Sequence, residues 1–303
     1  MVSDSNATGE DTPGLSPDDT FGLVGNETRV AILKSLADAD GALTFSELRD
    51  RVGTVDSGQF NYHLDKLRGE LVTETDGAYR LTRPGLRLAG SILANAYVTD
   101  ADRDRPKSET ACPVCGADAD LLYRDSLLRI ECRASDDHQW LSDLPAGATR
   151  GHELSELLVL GARVNRHMGE LARAGTCPQC YGETSPEIVD TRDLPDFGPE
   201  IGTHDYLFRA ECGRCGYPIG GFVGSLVTPH PAVIAAYHRE GIDVRERAHL
   251  PHENEPPTVL SEDPLRLRVD VESPETGDRL VSLVVDESAT VVDVDEFHEG
   301  TDD

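Results

Sequence analysis

The chain has no run of 18 apolar residues, so no segment is expected to cross a bilayer as a helix. Its first residues, MVSDSNATGEDTPG, lack the basic start and apolar centre of a secretory leader. These two absences point to a cytoplasmic protein without a membrane partner. Lysine is almost missing: of 28 basic residues only Lys34, Lys66 and Lys107 are lysines, against 56 acids, for a formal net charge of −28. That balance excludes a globally basic, nucleic-acid-coating surface. Catalytic motifs are missing too. There is no phosphate-cradling glycine loop, no nucleophile spaced with a base and no HExxH, so the sequence reads as that of a non-enzyme.

At roughly 150 residues per domain, 303 residues suggest about two domains. The hydrophobic fraction of 38% is near the low end for globular chains but sufficient for packed cores. The acidic, arginine-over-lysine balance is similar to that of proteins from salt-accumulating halophiles. All seven cysteines fall between Cys112 and Cys215. In a reducing compartment they read as metal ligands rather than disulfides. The composition therefore divides the chain as follows: a disordered acidic lead over 1–15, a cysteine-free helical block over 16–99 and a linker over 100–110. A cysteine region follows over 111–249, then a β-meander over 250–297 that opens on the linker LPHENEPPTV, and a disordered tail over 298–303. Residues 20–99 hold nine bases and ten acids, whereas residues 251–303 hold three bases and sixteen acids. A nearly neutral block inside so acidic a chain suits an anionic partner.

In the neutral block, Ser16-Pro17-Asp18-Asp19 opens a helix, with a cap, a first-turn proline and acids at the positive dipole end. A second helix spans about Glu27 to Ala39. Thr44-x-x-Glu47 is a capping box for a short helix ending near Val52-Gly53, and Asp56-x-x-Gln59 opens the next. There Phe60, Leu64 and Leu67 form the core stripe, with His63 at its edge. Tyr62 points away from the stripe, flanked by Gln59, Asn61, Asp65 and Lys66. Two short helices around a tight glycine turn make a helix-turn-helix. Asp76-Gly77 then joins Leu71–Thr73 to Ala78–Leu81 as a hairpin. After it, Thr82 caps a helix in which Leu86, Ala89, Leu93 and Tyr97 share a face suited to a partner subunit.

The stretch from Asn26 to Gly85 resembles the ArsR-like winged helix-turn-helix regulators of archaea. Gly58-Gln59-Phe60-Asn61-Tyr62-His63-Leu64-Asp65-Lys66-Leu67 is similar to the family's recognition helix, and Leu81-Thr82-Arg83-Pro84-Gly85 to its step after the wing. The resemblance covers about residues 17–98. It implies a homodimer on double-stranded DNA, with the 57–68 helix in the major groove and the 74–80 wing near the backbone. Ser57, Gln59, Asn61, Tyr62, Lys66 and Arg80 are the implied DNA contacts. Metal-sensing members carry cysteines at that helix, and residues 20–99 have none here.

Cys177-Pro-Gln-Cys180 and Cys212-Gly-Arg-Cys215 have the spacing of two knuckles around a four-thiolate zinc ion. Cys112-Pro-Val-Cys115 is an equally good first knuckle, but its mate holds only Cys132. His138 is the first candidate for the fourth ligand, with Asp136 and Asp137 as alternatives. Cys-Pro-x-Cys recurs at 112 and 177, and Arg129-Ile-Glu-Cys132 is echoed by Arg209-Ala-Glu-Cys212, which suggests duplicated zinc ribbons. Neither site carries an acid or base in a hydrolytic pattern, so both zinc ions read as structural; redox sensing at the three-cysteine site is the alternative. A helix over about 152–173 joins the ribbons, another follows Pro229-His230-Pro231, and three strands close the chain at Leu265–Val271, Leu280–Val285 and Thr290–Val294.

The expected fold is thus α+β: a winged helix-turn-helix, then two zinc-ribbon-like modules joined by helices, and a C-terminal β-meander. The expected function is transcription regulation by a homodimer, with repression favoured over activation. The alternative is a winged helix that docks a protein of the transcription machinery.

Overall fold

The computed structural model describes residues 16–53, 56–97, 108–112, 115–135, 139–193 and 204–297. It is mixed α+β, with four antiparallel sheets among the described residues, and it divides into two compact units at Val98/Thr99.

The first unit contains α1 (Pro17–Val24), α2 (Glu27–Ala37), β1 (Leu43–Thr44), α3 (Phe45–Val52), α4 (Ser57–Leu67), β2 (Val72–Thr75), β3 (Ala78–Leu81) and α5 (Arg83–Leu93). Local chemistry sets each boundary. Ser16 accepts from the Asp19 N–H and Asn26 from the Arg29 N–H at the starts of α1 and α2. Thr44 and Glu47 form a reciprocal capping box on α3, and Gly53 ends that helix at φ 74°, a left-handed conformation that favours glycine. Asp56 accepts from the N–H groups of Gly58 and Gln59 and so starts α4. Between β2 and β3, Asp76 and Gly77 both have positive φ, as a tight hairpin turn of matching twist requires. Leu33, Leu48, Phe60, Leu64 and Leu67 are buried together, with Phe45 edge-on to Phe60 at 5.2 Å. Gly85 lets α5 approach the sheet: a Cβ there would lie 2.0 Å from the Leu71 carbonyl oxygen. The face expected on α5 is split. Ala89 is buried in the core, while Leu86 is 56% and Tyr97, beyond the helix, 71% exposed.

The second unit opens with β4 (Ser108–Ala111), β5 (Asp118–Arg124), β6 (Leu127–Cys132) and β7 (Gln139–Asp143), a sheet in that order. Strand β4 thus begins inside the segment read as a linker. The long helix α6 (Leu154–Arg173) follows, then β8 (Thr184–Asp190), β9 (Tyr206–Cys212) and β10 (Pro218–Phe222). Gly161 brings α6 against the first sheet, since a Cβ there would meet Trp140 and Ser142 at 2.9 Å. Helices α7 (Val223–Val227) and α8 (Pro231–Arg239) lead to a four-stranded meander, β11 (Thr258–Glu262), β12 (Leu265–Glu272), β13 (Arg279–Asp286) and β14 (Val291–Glu296).

Two expectations about this last part are corrected. The meander has four strands rather than three, because Thr258–Glu262 pairs with β12 across Asp263-Pro264. Residues 250–257 are no open linker: Leu250, His252, Glu253 and Asn254 are buried. The meander packs on the sheet of β8, β9 and β10. Phe208, Val227, Tyr237, Leu267 and Leu283 belong to one hydrophobic core, and the Ile188 N–H of edge strand β8 donates to the Glu287 carbonyl at 2.9 Å.

Candidate functional site

Among the described residues, three candidate sites are legible: an exposed polar helix face in the first unit, and two sulfur clusters in the second.

On α4, Phe60, His63, Leu64 and Leu67 are buried. Ser57, Gln59, Asn61, Tyr62 and Lys66 are exposed, as is Arg80 on β3. Tyr62 is 59% exposed, and the Lys66 ammonium lies 5.7 Å from its ring centroid. Several of these groups already have partners: Arg49 donates to the Ser57 hydroxyl at 2.7 Å, and Asn61 donates to Asp65 at 3.0 Å. Hydrogen bonds thus engage Ser57 and Asn61, while Gln59, Tyr62 and Lys66 are exposed.

The sulfur atoms of Cys177, Cys180, Cys212 and Cys215 all lie within 4.8 Å of one another. Cys180–Cys212 is 3.5 Å and Cys177–Cys215 is 3.8 Å. A tetrahedral ion with metal–sulfur bonds near 2.3 Å needs sulfurs roughly 3.8 Å apart. These distances are far too long for a disulfide at about 2.0 Å. The four-thiolate set thus fits one metal ion.

Backbone geometry builds the knuckles. The Cys177 N–H donates to the Gly182 carbonyl and the Tyr181 N–H returns to the Cys177 carbonyl; Cys212 repeats the pattern with Tyr217 and Gly216. The residue four beyond each leading cysteine, Tyr181 or Gly216, is in the left-handed region. The N–H groups of Gln179 and Arg214 aim at the sulfurs of Cys177 and Cys212. Gly182 is small because a Cβ there would press on the Cys180 and Cys212 sulfurs at 3.2 Å. Backbone N–H groups of Cys215 and Arg214, with the neighbouring thiols, bring the Cys212 thiol down to about 6. At Cys215 the Tyr217 N–H pulls the other way, but the three surrounding sulfurs and burial push its thiol up to about 12. Without a cation the cluster therefore resists full ionisation, and a divalent ion removes that resistance.

Cys112, Cys115 and Cys132 form the second cluster, with Cys115–Cys132 at 3.6 Å. The same knuckle recurs: Cys112 N–H to Ala117 carbonyl, Gly116 N–H to Cys112 carbonyl, and Gly116 at φ 72°. Strand register repeats as well. Cys132 pairs with Ala119, seven residues after Cys112, as Cys212 pairs with Thr184, seven after Cys177. The Ala134 N–H aims at the Cys132 sulfur, as Arg214 does at Cys212. The duplication therefore aligns Ser135 with Cys215. Sequence reading passed over Ser135, although Cys132-Arg-Ala-Ser135 set beside Cys212-Gly-Arg-Cys215 carries the signal. His138, Asp136 and Asp137, the expected fourth ligands, lie outside the described residues.

A buried polar chain, also unforeseen, holds residues 250–254. Arg166 donates from Nε and Nη2 to the Glu253 carboxylate at 2.9 and 3.0 Å, and from Nη1 to the Val244 and Arg247 carbonyls. Thr228 donates to Glu253 at 2.9 Å, so its oxygen accepts from His252 Nε2 at 3.0 Å. The other ring nitrogen, Nδ1, then accepts from the Tyr237 hydroxyl at 2.9 Å. Every proton in the chain is assigned, and His252 is the neutral Nε2–H tautomer. Burial holds its pKa down to about 4. Burial pushes the Glu253 carboxyl up, but the Arg166 bonds outweigh it and keep the group below its ordinary value.

A family model described as "Domain of unknown function (DUF7351)" matches residues 109–291, more than half of the chain. A second, "Domain of unknown function (DUF7347)", matches residues 17–92. No curated protein and no solved structure matches.

Proposed function

The chain belongs to the DUF7351 family, and we propose that it is a zinc-containing, homodimeric DNA-binding regulator of transcription. The observation that carries this reading is the outward face of α4. A helix that buries four residues on one side leaves Gln59, Asn61, Tyr62 and Lys66 exposed on the other. A short capped helix precedes it and a hairpin bearing the exposed Arg80 follows. That order is the one a winged helix-turn-helix uses to set its second helix into a major groove. The near-neutral charge of residues 20–99 supports it, because the rest of the chain is far more acidic.

Zn²⁺ in the four-thiolate cluster serves as a structural ion whose binding contributes folding free energy. Cys112, Cys115 and Cys132 take a second Zn²⁺, with His138 as fourth ligand. Repression of a promoter by occupancy is the simplest mechanism for such a dimer.

The test is binding of the full-length protein to duplexes from upstream of its own gene, against scrambled duplexes of equal length. Sequence-dependent binding that weakens with Tyr62→Ala supports the reading. Folded protein that ignores sequence but retains a transcription-machinery protein would transfer the α4 face to protein docking.

A further inference from the structure

One residue on the α4 face proposed to meet DNA has the wrong charge for it. Asp65 is exposed, four positions beyond Asn61 and directly before Lys66. A bare carboxylate there would repel a phosphate backbone. It is not bare. The Asn61 amide donates from Nδ2 to Asp65 Oδ2 at 3.0 Å, and Nη2 of Arg68 lies 3.0 Å from Asp65 Oδ1. Arg68 also donates from Nη1 to Glu74 at 2.8 Å. Glu74 stands on β2, paired with Tyr79 of β3. Four side chains thus form one chain from the middle of α4 to the hairpin. Helical spacing accounts for the first three, because residues i, i+4 and i+7 fall on one face.

This chain fixes which way the Asn61 amide points. An ionised carboxylate only accepts, so the amide must turn Nδ2 toward Asp65 and Oδ1 away from it. Arg68 holds the other carboxylate oxygen, and Glu74 holds Arg68 from a paired strand. An exposed amide without such a partner can flip and exchange its oxygen and nitrogen ends. Here the outward edge of Asn61 keeps one order. It presents the Oδ1 acceptor and, beside it, the second N–H of Nδ2, which Asp65 does not use.

We propose that Asn61 reads adenine and that Asp65 positions it, with Arg68 and Glu74 holding Asp65 in turn. In the major groove adenine offers a donor, its N6 amino group, beside an acceptor, N7. That edge is the complement of an amide oxygen beside an amide N–H. Guanine offers two acceptors there, O6 and N7, and would set one of them against the Oδ1 lone pairs. Cytosine offers only its amino group, and thymine an acceptor and a methyl group. Asp65 touches no base and acts through Asn61. Exposed ion pairs add little stability, so the chain serves orientation rather than folding. This rests on the DNA-binding reading of α4 and adds to it the base that the helix selects.

The test is selection from duplexes with a randomised stretch, by full-length, metal-loaded wild type, Asn61→Ala and Asp65→Ala, with the bound pools sequenced. The position whose preference disappears in Asn61→Ala marks the base that Asn61 reads. Adenine is expected there, favoured over guanine at least about tenfold by the wild type. Asp65→Ala should melt as wild type does and keep its preferences at every other position. At this one it should lose at least about threefold of the preference for adenine, as a misdirected hydrogen bond would. A different base at that position overturns the proposal. So does an Asp65→Ala protein that is as selective as wild type, or one whose preferences fall at all positions alike. A sequence preference that Asn61→Ala leaves intact overturns it while the DNA-binding reading stands. Folded wild type with no sequence preference overturns both.

Discussion

At the scale of single residues, close approach and exposure decide what each side chain can do. Helix α5 holds two glycines with opposite roles. A Cβ on Gly85 would collide with the Leu71 carbonyl at 2.0 Å, whereas one on Gly90 would meet nothing within 4 Å. Gly85→Ala should therefore destabilise the first unit by about 1–3 kcal/mol, toward the upper end because the clash is with backbone, as overpacking does. Gly90→Ala should stabilise it by roughly 0.5–1 kcal/mol, through helix propensity. Chemical denaturation followed by helical circular dichroism reads both signs. On α4, Asn61→Ala removes only the exposed bond to Asp65 and Tyr62→Ala only an edge contact with His63 and the nearby Lys66. Each is expected to weaken specific DNA binding by about 1–3 kcal/mol at unchanged circular dichroism. Much of this was legible in the sequence: at 100° per residue, Phe60, Leu64 and Leu67 fall on one face and Tyr62 opposite. Ser135 was passed over, because a serine is no usual metal ligand and only the alignment of Cys132-Arg-Ala-Ser135 with Cys212-Gly-Arg-Cys215, which strand register repeats, sets it opposite Cys215.

At the scale of elements, the locally encoded parts were readable and the long-range ones were not. Caps at Ser16, Thr44 and Asp56, the Asp76-Gly77 turn and the Cys-x-x-Cys knuckles all act within a few residues, so their spacing gave them away. Strand β11 escaped because it follows Pro256-Pro257 and is largely exposed, without a clean apolar alternation. The 250–254 segment escaped because its buried His252 and Glu253 find their partners far away in sequence, Glu253 in Arg166, 87 positions earlier. That segment makes the second unit acid-sensitive. The folded pKa of His252 lies near 4, below its unfolded value of about 6.5. Between these values the unfolded chain binds the extra proton, so stability is present above pH 6.5 and lost as pH falls toward 4. Burial lowers His204 and His249 in the same direction. Thermal melts across pH 4–7 should show this decline, and His252→Gln should make it shallower by up to about 1.4 kcal/mol per pH unit. The knuckles are a second weak point. Cys180→Ser should release one ion and unfold the second unit while leaving α1–α5 intact, which limited proteolysis and elemental analysis together would reveal.

At the scale of the whole molecule, charge is segregated. The net −28 lies mostly outside residues 20–99, whose nine bases nearly balance ten acids. Conventional DNA binders lose affinity with salt by roughly 0.9 log units per released counterion per tenfold step. On the proposed DNA-binding reading, the acidic remainder should repel phosphate at low salt, and at about 1 M salt the screening length falls to roughly 3 Å and should remove that repulsion. The proposed short-range contacts from Gln59, Asn61 and Tyr62 should persist. The decisive measurement is an anisotropy titration of the full-length protein on its own upstream duplex, from moderate to molar potassium chloride, beside a scrambled duplex. The account predicts a preference for the upstream sequence whose affinity is flat or rises with salt. A folded, metal-loaded protein that shows no such preference, or that loses affinity steeply and monotonically, would contradict it.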